Sequence, residues 1–112
     1  MQVVLQIPKI TVIRPHGCLN ATNALELERD LTTALAQDEI SILVVNLAKV
    51  ESLDSAGLMA LVSTLKLSMK LGKTLRLCSV SPALRIIFEL TQLDDVFEIW
   101  ESEPELAIAQ LA

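Results

Sequence analysis

The run from Ile40 to Leu47 is the feature that most constrains the fold of this chain. Its residues Ile-Ser-Ile-Leu-Val-Val are apolar on both faces of an extended strand. A strand that is buried on both faces lies inside a sheet that helices cover, and such sheets are largely parallel. Successive parallel strands need a crossover connection, which is usually a helix. This run therefore predicts an α/β fold.

The segment before this strand has the pattern of an amphipathic helix. The helix is expected from about Ala21 to Gln37, and Asn23 and Glu26 have the spacing of a capping box at its start. Its apolar residues recur at helical spacing and so indicate one buried stripe. The stripe consists of Ala24, Leu27, Leu31, Ala34 and Leu35.

The segment after this strand predicts a second and longer helix, from about Ala56 to Leu71. Gly72 follows it and is well placed as its C-terminal cap, because glycine adopts the left-handed conformation that such a cap requires. We expect its buried stripe to consist of Leu58, Leu61, Val62, Leu65 and Met69.

Shorter segments complete the alternation of strands and helices. Pro15-His16-Gly17 is typical of a turn, and Ser81-Pro82 is typical of a helix start. The other expected elements are strands Val3–Ile7, Lys9–Arg14, Thr74–Cys78 and Val96–Trp100, a helix from Pro82 to about Leu90, and a terminal helix opened by Ser102-Glu103-Pro104-Glu105. The order ββαβαβαβα predicts a single α/β domain over residues 1–112, with helices packed on a mixed, mostly parallel sheet.

Charge and hydropathy exclude several classes of partner. The net charge is -5, and the nine Lys and Arg residues form no cluster, so nucleic acid is not an expected partner. No run approaches the roughly 20 apolar residues that span a bilayer. Met1 leads directly into apolar residues without the basic segment of a signal peptide. We therefore expect a soluble, cytoplasmic protein that contacts no membrane.

The residues that usually bind metals or perform catalysis are few. Cys18 and Cys78 form no C-x-x-C pattern and His16 is the only histidine, so we expect reduced cysteines, no metal site and no cofactor. A serine hydrolase would need His16 as the base for Ser55, but the G-x-S-x-G motif is missing. The three glycines are isolated and form no phosphate-binding loop. These observations argue against an enzyme.

Ser55 lies where the predicted strand and the second helix join. A serine or an aspartate at a helix start can cap the first unpaired amides of the helix. The same amides and the helix dipole also favour a phosphate group. Asp54 and Ser55 thus allow two interpretations from the residues alone, a simple helix cap or a site of phosphorylation.

The outward side of the second helix is unusually small and apolar for a surface exposed to solvent. Either further elements cover it, or it is a docking surface beside Ser55. A homodimer through this face is also left open. The residues predicted on this face are Ala56, Met59, Ala60, Ser63 and Leu67.

Three segments resemble a known family. Asn46-Leu47, Asp54-Ser55-Ala56-Gly57-Leu58 and Ser81-Pro82-Ala83-Leu84 are similar to the STAS domain of anti-sigma factor antagonists of the SpoIIAA type. The likeness extends over nearly the whole chain. A D-S-x-G-L motif after a hydrophobic strand is fairly specific in this setting, and the predicted element order agrees with that fold.

The resemblance implies a regulatory protein that is not an enzyme. Such antagonists bind an anti-sigma factor serine kinase and so release the sigma factor, which is partner switching in bacterial stress signalling. The kinase phosphorylates the serine that corresponds to Ser55, the modified antagonist dissociates, and a metal-dependent serine phosphatase restores it. Asp54 would hold the hydroxyl and orient the loop, and Asn20 and Gly57 would support the site.

One position departs from the family pattern. The family often has Gly-x-Leu-Asp before the first helix, and here the segment is Gly17-Cys18-Leu19-Asn20. We hypothesise that this loop lies next to Ser55, so that the uncharged Asn20 repels a phosphoserine less than aspartate would. The alternatives to a phosphorylation switch are an unswitched STAS scaffold or binding module in a signalling assembly and, more distantly, a domain that binds a small ligand.

Overall fold

The computed structural model describes residues 9–102. Two elements expected from the sequence, the strand Val3–Ile7 and the terminal helix after Ser102, fall outside the described residues. The described elements are β1 (Lys9–Ile13), β2 (His16–Leu19), α1 (Ala24–Leu35), β3 (Ile40–Asn46), β4 (Lys49–Leu53), α2 (Ser55–Lys70), β5 (Thr74–Cys78), α3 (Pro82–Leu90), a 3₁₀ turn (Leu93–Asp95) and β6 (Glu98–Trp100).

Within residues 9–102, four parallel strands form the main sheet. Its strand order is β1-β3-β5-β6, and β3 lies between β1 and β5. Leu43, Val44 and Val45 of β3 are completely buried. The α/β class, the parallel sheet and the interior position of this strand are therefore confirmed.

A second, two-stranded sheet was not predicted. In this sheet β2 pairs in parallel with β4, and the register shifts between Gly17 and Cys18. The expected turn at Pro15-His16-Gly17 is wrong, since His16 begins β2. Strands of four and five residues with few buried side chains carry almost no alternating pattern, so the sequence does not reveal them. The described order is consequently ββαββαβαβ, and the predicted order lacks β2 and β4.

The three helices pack into one core with one face of the main sheet. Phe88 of α3 meets Phe97 edge to face, with ring centroids 5.8 Å apart. This core joins residues of every helix and of β3 and β5: Leu27, Leu31, Leu35, Leu43, Val45, Leu58, Leu61, Leu75, Leu77, Leu84 and Phe88.

The predicted end of α2 at Gly72 and the predicted start of α3 at Ser81 are confirmed. Gly72 has φ +70°, and the amide of Lys73 donates to the carbonyl of Ser68 at 2.8 Å, which is the Schellman cap that the glycine predicts. Ser81 caps α3 by accepting from the amide of Leu84 at 3.3 Å.

The capping box predicted at the start of α1 is not formed, so this prediction is wrong. Asn23 occupies the N-cap position, but its side chain makes no cap bond. Its Oδ1 accepts instead from the Asn20 amide at 2.9 Å, and its Nδ2 donates to the Cys18 carbonyl at 2.7 Å. The side chain thus holds the loop between β2 and α1. At the other end of α1, the Lys73 ammonium donates to the carbonyls of Leu35 and Gln37.

Within residues 9–102, no helix is long and apolar enough to cross a bilayer. The same part of the chain contains no group of three His, Cys, Asp or Glu side chains that could hold a metal ion.

Candidate functional site

Ser55 is the first residue of α2 and its side chain is exposed. The preceding residue, Asp54, is the N-cap: its Oδ1 accepts from the Gly57 amide at 3.0 Å, and its carbonyl accepts from the Leu58 amide at 2.9 Å. The aspartate therefore caps the helix, and the serine does not. Among the described residues the Ser55 hydroxyl has no hydrogen-bond partner, so it is available to solvent on a fixed backbone.

The end of β2 supports this turn directly. The Asp54 amide donates to the Leu19 carbonyl at 3.1 Å, which joins the loop after β2 to the start of α2. Gly57 lies against the same carbonyl: a Cβ atom at this position would be 2.6 Å from the Leu19 oxygen and 2.9 Å from the Leu19 Cβ. Real Cβ atoms do not approach a backbone oxygen so closely. Glycine at position 57 therefore allows α2 to start beside β2, with Ser55 at the surface.

Asn20 is the residue directly after Leu19, whose carbonyl is bonded to the Asp54 amide. The Asn20 carbonyl accepts from the amides of Asn23 and Ala24, where α1 begins. Its Oδ1 accepts from the Thr22 amide at 2.9 Å, an Asx turn that fixes the loop. The hypothesis that this loop lies next to the Ser55 turn agrees with the bond from Asp54 to Leu19. The effect of the missing charge at Asn20 stays a prediction.

The outward face of α2 differs from the predicted one. Met59 is 54% exposed, and Ala56 and Ser63 are partly exposed, as a surface requires. Ala60, however, is 3% exposed and belongs to the core, so its assignment to a docking face is wrong. Leu67 is partly buried and packs against that core.

The reason for this error lies in two hydroxyl side chains and one methionine. Thr64 and Ser68 are buried, because their hydroxyls donate to the carbonyls of Ala60 and Leu65, one turn earlier, at 2.8 and 2.6 Å. Met69, predicted in the buried stripe, is 71% exposed. A buried stripe drawn through the large apolar side chains alone therefore lies part of a turn away from the face that is buried in the structure.

The corrected exposed stripe runs along the whole of α2. It contains Ser55, Met59, Lys66 and Met69, which are exposed, and Val62, which is half-buried and also packs against the core. We call these five residues the α2 seam. Glu51 and Asp54 are exposed near its first residue, and Lys66 and Lys70 are exposed towards its end. The surface is therefore acidic at the Ser55 end, apolar in the middle and basic at the far end.

The geometry does not support a serine hydrolase, because His16 is not placed beside Ser55. His16 pairs with Lys49 at the start of the small sheet, whereas Leu53, the neighbour of Asp54, pairs with Leu19 at its end. His16 and Leu19 are three residues apart along β2, so His16 lies roughly 10 Å from the end of the sheet that is next to Asp54. His16 instead lines a separate cavity of about 330 Å³ next to α1, together with Glu26 and Asp30.

Comparison with known proteins agrees with the fold and the motif. The family model of the STAS domain matches residues 2–106. An anti-sigma-B factor antagonist of Staphylococcus aureus is 33% identical over 93 residues, which are 83% of this chain and 85% of that protein.

Solved structures of anti-sigma factor antagonists have a similar fold. An anti-sigma factor antagonist from Mycobacterium paratuberculosis has a TM-score of 0.75 at 26% identity, covering 96% of this chain and 90% of the other. Phosphorylated SpoIIAA of Bacillus has a TM-score of 0.70 at 20% identity, covering 99% of this chain and 98% of the other, and it shows the fold alone.

Proposed function

The chain belongs to the STAS domain family, and on this premise we propose that it is an anti-sigma factor antagonist that binds an anti-sigma factor serine kinase and is released when Ser55 is phosphorylated. The anti-sigma factor antagonists of this family are regulatory proteins and not enzymes. The Staphylococcus aureus relative is named for this activity, and SpoIIAA, which has the same fold, has been solved in a phosphorylated form.

The observation that carries the proposal is the state of the Ser55 side chain. A kinase needs a serine hydroxyl that it can reach. Ser55 is exposed at the first position of α2, while Asp54 fixes the turn through its bond to the Gly57 amide. If Ser55 were the cap, phosphorylation would have to break a helix-stabilising bond. Because Asp54 is the cap, the hydroxyl can be modified without loss of that bond.

A phosphate at this position would change the surface more than the fold. Phosphoserine adds about -1.5 to -2 charges at pH 7. Anions are favoured at a helix N-terminus, so the start of α2 tolerates the group. A partner seated on Met59 and Val62 would have to desolvate the phosphate, and burying an ion without a counter-charge costs several kcal/mol. The adjacent Asp54 increases the local negative charge.

The exposure of Ser55 would also allow a phosphatase to remove the phosphate. A metal-dependent serine phosphatase could reach Ser55 without unfolding α2, since the residue lies at the helix start and not within its buried part. The proposal places the protein in the cytoplasm, where the sigma factor, the kinase and ATP are found.

Transfer of phosphate from ATP tests the proposal with purified proteins. The anti-sigma factor kinase of the same organism is incubated with the wild type and with Ser55→Ala and Ser52→Ala. Ser52 is also exposed and lies three residues earlier on β4, so it is a matched control. We expect one phosphate on the wild type and on Ser52→Ala, and none on Ser55→Ala.

Equal phosphorylation of Ser55→Ala and the wild type would overturn the assignment of the site. Stable binding of the kinase without any phosphate transfer would support the unswitched scaffold instead.

A further inference from the structure

The α2 seam has the spacing of a coiled-coil contact. Its residues Ser55, Met59, Val62, Lys66 and Met69 follow one another at intervals of four, three, four and three. Residues at this alternating spacing lie along one side of a helix, where they can all contact a partner helix. The 16 residues of α2 extend over roughly 24 Å, at about 1.5 Å per residue.

The order of charges along α2 is self-complementary. Glu51 and Asp54 are near its first turn, and Lys66 and Lys70 are in its last turns, with Met59 and Val62 between them. A second copy laid antiparallel would place its basic end over the acidic end of the first. A parallel copy would place like charges together, which is unfavourable.

We propose that the α2 seam binds a second copy of this chain in an antiparallel dimer, and that phosphate at Ser55 strengthens this dimer. In the register that places apolar residues in the centre, Met59 contacts Val62 of the second copy and Ser55 faces its Lys66. The two-fold axis repeats each contact. The register thus places the apolar centre between two Ser55–Lys66 pairs, and each pair lies where the acidic end of one copy meets the basic end of the other.

The expected dimer is weak in the unmodified chain. Five seam residues on one helix bury much less than the roughly 1,200 Å² that stable interfaces require. We therefore expect a dissociation constant in the range of about 100 μM to 1 mM. At lower concentrations the seam would remain open to other partners.

Phosphorylation would change the balance between self-association and partner binding. A phosphate at Ser55 would face Lys66 of the second copy, with Lys70 one turn away, and charge-assisted hydrogen bonds to phosphate are strong. The kinase surface of the proposed function contains the same residues, so the two complexes exclude each other. The effect of phosphate and this competition rest on the proposed function, whereas the dimer of the unmodified chain requires no kinase.

Sedimentation velocity of the purified chain from about 10 μM to 1 mM tests the dimer directly. Exposed ion pairs contribute roughly two- to fivefold each in affinity, and each substitution acts twice in a symmetric dimer. We expect Ser55→Asp to tighten the dimer by about four- to twenty-fivefold. We expect Lys66→Glu to weaken it by about the same factor, because the glutamate would lie at the acidic end of the second copy. Ser55→Lys combined with Lys66→Glu should restore dimerisation, because a lysine at position 55 of one copy then faces a glutamate at position 66 of the other.

Arg85→Glu is the matched control, since it makes the same change of charge on the exposed side of α3 and should leave the dissociation constant unchanged. A chain that stays monomeric at about 1 mM, a dimer that Lys66→Glu does not weaken, or a dimer that Ser55→Asp weakens would each overturn the proposal. None of these outcomes bears on phosphate transfer to Ser55, so failure of the dimer and failure of the proposed function are distinguishable.

Discussion

Ser55→Asp is expected to bind the anti-sigma factor kinase about 100-fold more weakly than the wild type, whereas Ser55→Ala should bind within about threefold of it. The aspartate places a second carboxylate beside Asp54 at the edge of the apolar surface of Met59 and Val62. Desolvating an unpaired ion costs several kcal/mol, and each ~1.4 kcal/mol is tenfold in affinity. Isothermal titration calorimetry with the purified kinase measures both dissociation constants.

A control variant separates this local effect from a general effect of charge. Ser52→Asp adds the same charge to an exposed serine of β4, which lies outside the α2 seam. We expect it to lower affinity by less than about tenfold, because a charge at the rim of an interface is screened by solvent. Equal binding by Ser55→Ala and Ser55→Asp would contradict the switch and would favour the scaffold.

Gly57→Ala is expected to lower the free energy of unfolding by about 1–3 kcal/mol. A Cβ atom at this position would lie 2.6 Å from the Leu19 carbonyl oxygen, so α2 and the end of β2 must move apart. The same carbonyl accepts from the Asp54 amide, and the movement would therefore disturb the turn that presents Ser55. Alanine favours a helix by up to about 1 kcal/mol relative to glycine, and this gain offsets only part of the loss. Urea denaturation measures the change.

Gly72→Ala serves as the matched control for this substitution. Gly72 has φ +70° but open space around the position of a Cβ, so alanine there meets backbone strain of about 1–2 kcal/mol without a clash. Both variants should be less stable than the wild type, but only Gly57→Ala should shift the amide resonances of Leu19, Asp54 and Ser55. A Gly57→Ala protein with wild-type stability and unshifted resonances would show that the close approach to Leu19 has no consequence.

The sequence predicts the main sheet because its signals are strong and local. β3 is apolar on both faces, Gly72 and Ser81 mark helix ends, and the Asp54-Ser55 turn follows from the residues that favour helix starts. These features depend on neighbours within a few positions along the chain. For the same reason both ends of α2 are predicted to within one residue.

What the sequence does not predict depends on contacts between distant segments. The strands β2 and β4 pair with each other and bury Leu19, Val50 and Leu53 in the core, and neither has an alternating pattern of its own. The need for glycine at position 57 comes from the carbonyl of Leu19, which is remote in sequence. The hydroxyls of Thr64 and Ser68 donate to carbonyls of their own helix and can therefore be buried, so a stripe drawn through large apolar side chains gave Ala60 and Met69 the wrong faces.

Phosphopeptide mass spectrometry of the protein isolated from its own cells tests the central claim most directly. The peptide that contains Ser55 is compared between growth and stress, and its unmodified form serves as the reference for occupancy. We predict a phosphate on Ser55 whose occupancy changes with the condition. A Ser55 that is unmodified under every condition would contradict the switch and leave the scaffold as the function to pursue.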